Sequence, residues 1–126
     1  MKKIISTIHA PKAIGPYNQA ILVDKTVYIS GQLGLDPKTT LFAGDTVEAQ
    51  AHQVIKNIQE IIKEAGGSLS NIVKTTVLLK SMDDFTKVNE IYTSYFKEPY
   101  PARACFEVAR LPKDGLVEIE AIGHLD

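Results

Sequence analysis

Cysteine is almost missing from this chain: Cys105 is the only one among 126 residues. That excludes an internal disulfide framework and fits a reducing compartment. Charge of one sign is missing too. Fourteen Lys and Arg balance fifteen Asp and Glu, for a formal net charge of −1, so no bulk positive field draws the chain to nucleic acid or an anionic membrane. No apolar run approaches the roughly 20 residues of a membrane-spanning helix. Met1-Lys2-Lys3-Ile4-Ile5-Ser6 has no long apolar segment of the secretory-signal kind, and a cytoplasmic protein is expected. The three histidines, His9, His52 and His124, are dispersed. With no HExxH, no CxxC and no clustered carboxylate loop, a metal site is not expected. No phosphate-binding glycine loop, dinucleotide fingerprint or pyridoxal phosphate lysine can be picked out, so no bound cofactor is expected. Repeats, low-complexity tracts and linkers are also absent.

What is present suits one domain spanning residues 1–126. An apolar content of 44% against 23% charged is enough for a hydrophobic core at this length. Lys3 to Thr7 reads as a short strand, Tyr17 to Val23 as a second, and Thr26 to Ser30 as a third, joined by Asp24-Lys25. Gly31 to Gly44 carries turn residues without periodicity and reads as a long loop, uncommon unless it serves something. Asp45-Thr46-Val47-Glu48 has the spacing of a capping box with Asp45 as the cap. From there Val47, Ala51, Val54, Ile55, Ile58, Ile61, Ile62 and Ala65 recur at helical spacing, and Gly66-Gly67 ends the helix. Asn71 to Lys80 alternates as a strand. A second helix is expected from about Asp83 to Phe96, with Phe85, Val88, Ile91, Tyr92, Tyr95 and Phe96 inward. Pro99 and Pro101 prevent its extension.

The closing stretch reads as a hairpin, with strands over 104–109 and 116–122 around the turn residues Leu111-Pro112-Lys113-Asp114-Gly115. The element order is then β-β-β-α-β-α-β-β. Two amphipathic helices cover one face of a mainly antiparallel sheet, and the other face, partly apolar at Leu78, Phe106 and Ile122, is expected to meet solvent or another subunit. Because side chains alternate along a strand, Arg103, Cys105 and Glu107 share one face, as do Glu118 and Glu120. The hairpin would gather an arginine, a cysteine and several carboxylates at one sheet edge, a place for a small charged molecule.

Taken alone, these residues leave two readings open. Arg103 could clamp a carboxylate through two parallel hydrogen bonds, or form a salt bridge with Glu107, Glu118 or Glu120. Glu118 and Glu120 have equal credentials as a base that activates water or as solvated strand residues. Cys105 has no histidine near it in sequence to lower its pKa, and a small buried hydrophobe is the simpler role for it. Tyr17, Ser30 and Gly31 lie where strands begin or end. Asn89 is a polar residue on an inward helical stripe. Arg110 and Lys113 lie near the turn and are assigned no role.

Three blocks identify a family. They are Pro101-Ala102-Arg103-Ala104-Cys105 with Glu107 to Lys113 and Val117-Glu118-Ile119-Glu120-Ala121; Ala13-Ile14-Gly15-Pro16-Tyr17 with Tyr28-Ile29-Ser30-Gly31-Gln32; and Val73 to Val77 with Asp84-Phe85 and Val88-Asn89. In this order, over nearly the whole chain, they resemble the Rid/YjgF family of reactive-intermediate deaminases, its RidA branch most of all. The resemblance implies a chorismate-mutase-like α+β fold and a homotrimer with sites in the clefts between subunits. It also implies hydrolysis of 2-iminopropanoate and 2-iminobutanoate to 2-keto acids and ammonia. Carried onto this chain, it makes Arg103 and the Cys105 N–H the holders of the substrate carboxylate and Glu118 the residue that positions water. Tyr17, Ser30, Asn89 and the Gly31 carbonyl would line the pocket. Single-strand RNA cleavage, attributed to some relatives, and a non-enzymatic carboxylate-binding or protein-protecting role stay open as alternatives. The balanced charge and the lack of a histidine pair speak against the RNA reading.

Overall fold

A computed structural model describes residues 1–126. Its strands are β1 (Lys2–Ile5), β2 (Ala20–Val23), β3 (Thr26–Leu33), β4 (Ile72–Leu79), β5 (Ala102–Glu107) and β6 (Val117–His124), and its helices are α1 (Val47–Glu64) and α2 (Phe85–Tyr95). The expected β-β-β-α-β-α-β-β order and α+β class hold. The strands form one six-stranded sheet in the order β1-β2-β3-β6-β4-β5. Every neighbouring pair is antiparallel except β4 and β5, which α2 joins as a crossover. No helix is long and apolar enough to cross a membrane.

The closing hairpin does not form. β5 and β6 both pair with β4, one on each side, and do not pair with each other. Residues 108–116 must therefore pass over β4 rather than turn back tightly, and Pro112–Asp114 makes a short 3₁₀ turn with left-handed backbone at Lys113 and Asp114. Other boundaries move for local reasons. β2 begins at Ala20, not Tyr17, because Gln19 is buried and its side chain ties back to the N-terminal loop: it accepts from Thr7 N and donates to the carbonyls of Thr7, Ala10 and Pro11. β3 runs on to Leu33 through a bulge between Ile29 and Gln32. The loop after it is partly ordered as a small hairpin in which Leu35 bridges Phe42 and the Asp36 carboxylate accepts from Lys38 N and Thr39 N. A register shift near the start of β4 buries Ile72 and exposes Val73, breaking the alternation expected there.

The cap of α1 falls one residue later than the spacing suggests. Thr46 is extended and its hydroxyl accepts from Ala49 N at 3.1 Å, so Asp45 is left outside. Thr46→Ala should cost about 1 kcal/mol of stability and Asp45→Ala close to nothing, as read by denaturant midpoints. The other end matches expectation. Gly66 takes φ +99°, its N–H reaching the Lys63 carbonyl and that of Gly67 the Ile62 carbonyl, a Schellman ending.

The apolar stripe of α1 supplies Val54, Ile55, Ile58, Ile61 and Ile62, all without solvent exposure, against Val27, Val77, Leu79, Val117 and Ile119 of the sheet. Each such side chain stabilises the fold by roughly 1.5–3 kcal/mol on burial. Both helices lie on this face. The opposite face carries no element of this chain. A row runs across it from Ile4 through Ile21, Tyr28 and Ile122 to Lys74 and Ala102, and a second row joins Glu118, Leu78 and Phe106.

Candidate active site

The register decides what can meet what. Arg103 aligns with Thr75 and Ala121, and Cys105 with Val77 and Ile119, on the helix-covered face; Glu120 aligns with Thr76 and Ala104, and Glu118 with Leu78 and Phe106, on the open face. The face assignments made from alternation hold, but the single charged edge does not exist. Arg103 and Glu118 stand on strands separated by β4 and project to opposite sides of the sheet.

On the helix side Arg103 is half-buried. Its Nη1 donates to Asn89 Oδ1 at 2.8 Å, and its guanidinium carbon lies 4.9 Å from the Tyr92 ring centre and 5.6 Å from that of Phe85. It has no acidic partner: the one ion pair in the chain joins Arg110 and Asp114 at 2.9 Å, on the surface. The salt bridge to Glu107, Glu118 or Glu120 is therefore not made, and the Glu107 carboxylate accepts from Met82 N instead. Cys105, a free thiol below Arg103 on the same strand face, has its pKa pushed up by burial, only partly opposed by the Arg103 charge. That is the wrong direction for a nucleophile at neutral pH.

On the open side Glu118 lines a depression of about 90 Å³ with Tyr17, Gly31, Gln32, Ile14 and Pro112. Burial raises the Glu118 carboxyl above its ordinary value, and the like charge of Glu120 adds to the rise. Gly31 is needed for space: a Cβ there would sit 2.8 Å from Glu118 Oε2 and 3.0 Å from its Cδ. The bulge that frees Ser30 and Gly31 from the ladder is pinned by Gln32, whose side chain donates to the Ser30 carbonyl at 3.2 Å. Ser30 faces a larger neighbouring cavity of about 520 Å³, shared with Tyr17, Tyr28, Lys74 and Glu120. Its hydroxyl donates to the Asn18 carbonyl at 2.6 Å. The larger cavity contains neither Glu118 nor Arg103. No three His, Cys, Asp or Glu side chains cluster as metal ligands.

A family model described as Endoribonuclease L-PSP matches residues 7–125. A protein of Homo sapiens named 2-iminobutanoate/2-iminopropanoate deaminase is 53% identical over 122 residues, 97% of this chain and 89% of that one. The chain belongs to the Rid/YjgF family. Solved Rid structures repeat its fold. RidA from Psychrobacter sp. PAMC 21119 superposes with a TM-score of 0.95 at 50% identity, covering 98% of this chain and 99% of that one. E. coli TdcF with bound serine superposes with a TM-score of 0.94 at 42% identity, covering 98% and 99%.

In this Rid chain the candidate residues thus fall into two groups on opposite faces of the sheet. Arg103, Cys105 and Asn89 make one; Tyr17, Gly31 and Glu118 make the other, with Ser30 beside it. Alternation placed each residue on a face of its own strand, but only the register through β4 separates the two groups; Gln19, which lines the second, carried no sequence signal of its own. Phe85 and Tyr92 read as core and are also the aromatic walls of Arg103.

Proposed function

We propose that the chain hydrolyses 2-imino acids such as 2-iminopropanoate and 2-iminobutanoate to 2-keto acids and ammonia. The observation that carries this reading is Arg103: a half-buried guanidinium, held by a neutral amide and two rings, without a carboxylate of its own chain. Such a group suits an incoming carboxylate. The serine bound to E. coli TdcF and the deaminase name of the Homo sapiens relative support the same substrate class.

Arg103 and the Cys105 N–H hold the substrate carboxylate in this reading, and Tyr17, Ser30, Asn89 and the Gly31 carbonyl line the rest. Water adds to the C=N carbon as the Glu118 carboxylate takes its proton. Glu118 then returns that proton to nitrogen, and as the C–N bond breaks and ammonia leaves, the hydroxyl proton passes to the freed Glu118 carboxylate and the C=O bond forms. A carboxyl with a raised pKa serves these transfers better than an ordinary one near neutral pH. Because such imines already hydrolyse in water, positioning and one acid–base group suffice. Gly31→Ala should fold yet displace the Glu118 carboxylate, lowering kcat roughly 10- to 100-fold with a small change in melting temperature.

Two half-sites on opposite faces can act on one small molecule only if different copies supply them. We therefore include a homotrimer with intersubunit clefts in the proposal, the open face of the sheet being covered by its neighbours. Mixing inactive Arg103→Ala and Glu118→Gln chains by refolding should restore activity to about one quarter of wild type, the random share of clefts intact on both sides. No recovery would remove the shared cleft. A cytoplasmic location belongs to the same reading, supported by the lone free thiol. The deciding assay is 2-keto acid release when a dehydratase acting on serine generates 2-aminoacrylate, wild type against Arg103→Ala at constant dehydratase activity. Absence of acceleration by wild type would overturn the reading and bring forward the RNA cleavage that the family description names.

A further inference from the structure

We propose that Tyr92 is the positioning residue of the carboxylate clamp, itself locked for that role by Thr75. The inference rests on the reading of Arg103 given above and adds what keeps its guanidinium in one place. Phe85, Asn89 and Tyr92 stand at i, i+4 and i+7 on α2, one face of the helix. That face supplies two rings and one acceptor to a single arginine. Both rings lie within the distance at which an aromatic face attracts a cation, and Tyr92 is the nearer.

Tyr92 differs from Phe85 in being fully packed and hydrogen-bonded at its far end. It is buried, 4% exposed, while Phe85 is only half-buried. Its hydroxyl shares a buried 2.7 Å hydrogen bond with Thr75 Oγ1, and its ring packs against Phe96 with centres 4.4 Å apart. Thr75 lies on β4 in register with Arg103 on β5, so the strand beside the arginine fixes the far end of the ring that the arginine rests on. Asn89 takes one N–H of the five in the guanidinium fork. A fork held against a fixed ring presents its remaining N–H edge in one orientation. Released from that ring, the long side chain would spread over several rotamers, and a ligand would have to select one.

The test uses the intact protein, with pyruvate as a stable carboxylate probe. Wild type, Tyr92→Phe, Tyr92→Leu and Arg103→Ala are compared by pyruvate titration calorimetry, by KM and kcat for 2-iminopropanoate, and by the Arg103 Nε–Hε signal in nitrogen-15 NMR. Tyr92→Leu should weaken pyruvate binding and raise KM about tenfold, leave kcat within about twofold, and reduce the ring-current displacement of the Arg103 Hε signal to what Phe85 alone produces. Tyr92→Phe, which keeps the ring but loses its bond to Thr75, should keep the ring-current displacement with a broadened Hε signal and weaken pyruvate binding by only about threefold. A damaged core would instead make the two Tyr92 variants fail together, and that result would overturn the proposal. So would wild-type affinity and an unmoved Hε signal in Tyr92→Leu. If Tyr92→Leu cannot be purified, Thr75→Val, which frees the phenol but keeps ring and volume, replaces it. A broadened Hε signal with weaker pyruvate binding supports the inference, and an unchanged signal overturns it. Pyruvate binding lost in Arg103→Ala but intact in Tyr92→Leu would sink only this inference. No pyruvate binding by wild type would sink the reading of Arg103 as well.

Discussion

Arg103→Ala should lower kcat/KM for 2-iminopropanoate by roughly 30- to 5,000-fold, the range expected when one partner of a desolvated charge-assisted pair is cut away. Most of the loss belongs in KM, because the carboxylate is held alike in the bound imine and in the transition state. Arg103→Lys should recover only part of it, since a point charge cannot reproduce the planar fork beside Tyr92 and Phe85. Stability should move little by comparison. Arg103 has no ion pair to lose, only its bond to Asn89 and its contact with two rings. Initial rates over a range of substrate, with melting curves on the same preparations, check both statements.

Glu118→Gln should act in the opposite way, lowering kcat by roughly 10²- to 10⁴-fold, the usual contribution of a positioned acid–base group, while small carboxylates bind as before. A carboxylate-binding factor without catalysis would lose nothing in this variant. The pH dependence follows from the raised Glu118 carboxyl. The base must be ionised, so kcat/KM falls as pH drops through a value above the ordinary glutamate pKa of about 4.3. Burial is the larger cause of the rise and Glu120 the smaller, so Glu120→Gln should move that acid limb downward without removing it. The sign for stability is the reverse of a paired carboxylate. A group whose folded pKa lies above its unfolded one favours the native state when protonated, and that contribution is lost as pH rises through the folded value. At neutral pH the ionised Glu118 therefore weakens the fold, and Glu118→Gln should melt no lower than wild type.

Much of this was legible in the residues. The stripe from Val47 to Ile62, the glycine ending at Gly66 and the two faces of β5 and β6 follow from spacing alone, because helix and strand periods are local properties. Partner choice is not local. The Pro112-Lys113-Asp114-Gly115 turn looked sufficient for a hairpin, yet β4, some thirty residues earlier in sequence, takes the place between β5 and β6. That misplacement joined Arg103 and Glu118 on one edge, when they belong to opposite faces. Thr46 prevailed over Asp45 as the cap by one residue, a margin that spacing does not resolve. Gly31 read as a strand-end residue lending its carbonyl to the pocket, and the room it leaves for Glu118 is visible only in the bulge of β3. Tyr92 sat correctly on the inward stripe, but its second use required knowing that Thr75 and Arg103 are in register.

The place of β6 between β3 and β4 bears on the order in which the fold is made. Residues 26–33 and 72–79 are synthesised well before residues 117–124, yet they pair with β6 and not with each other. Until β6 is available, α1 has no complete sheet to cover, since Val117 and Ile119 belong to its core. The native sheet therefore closes only when a late segment enters between two early ones, a pairing of high contact order. A chain ending before residue 117 would leave the inner edges of β3 and β4 and part of the apolar face of α1 without a partner, surfaces of the kind that promote aggregation.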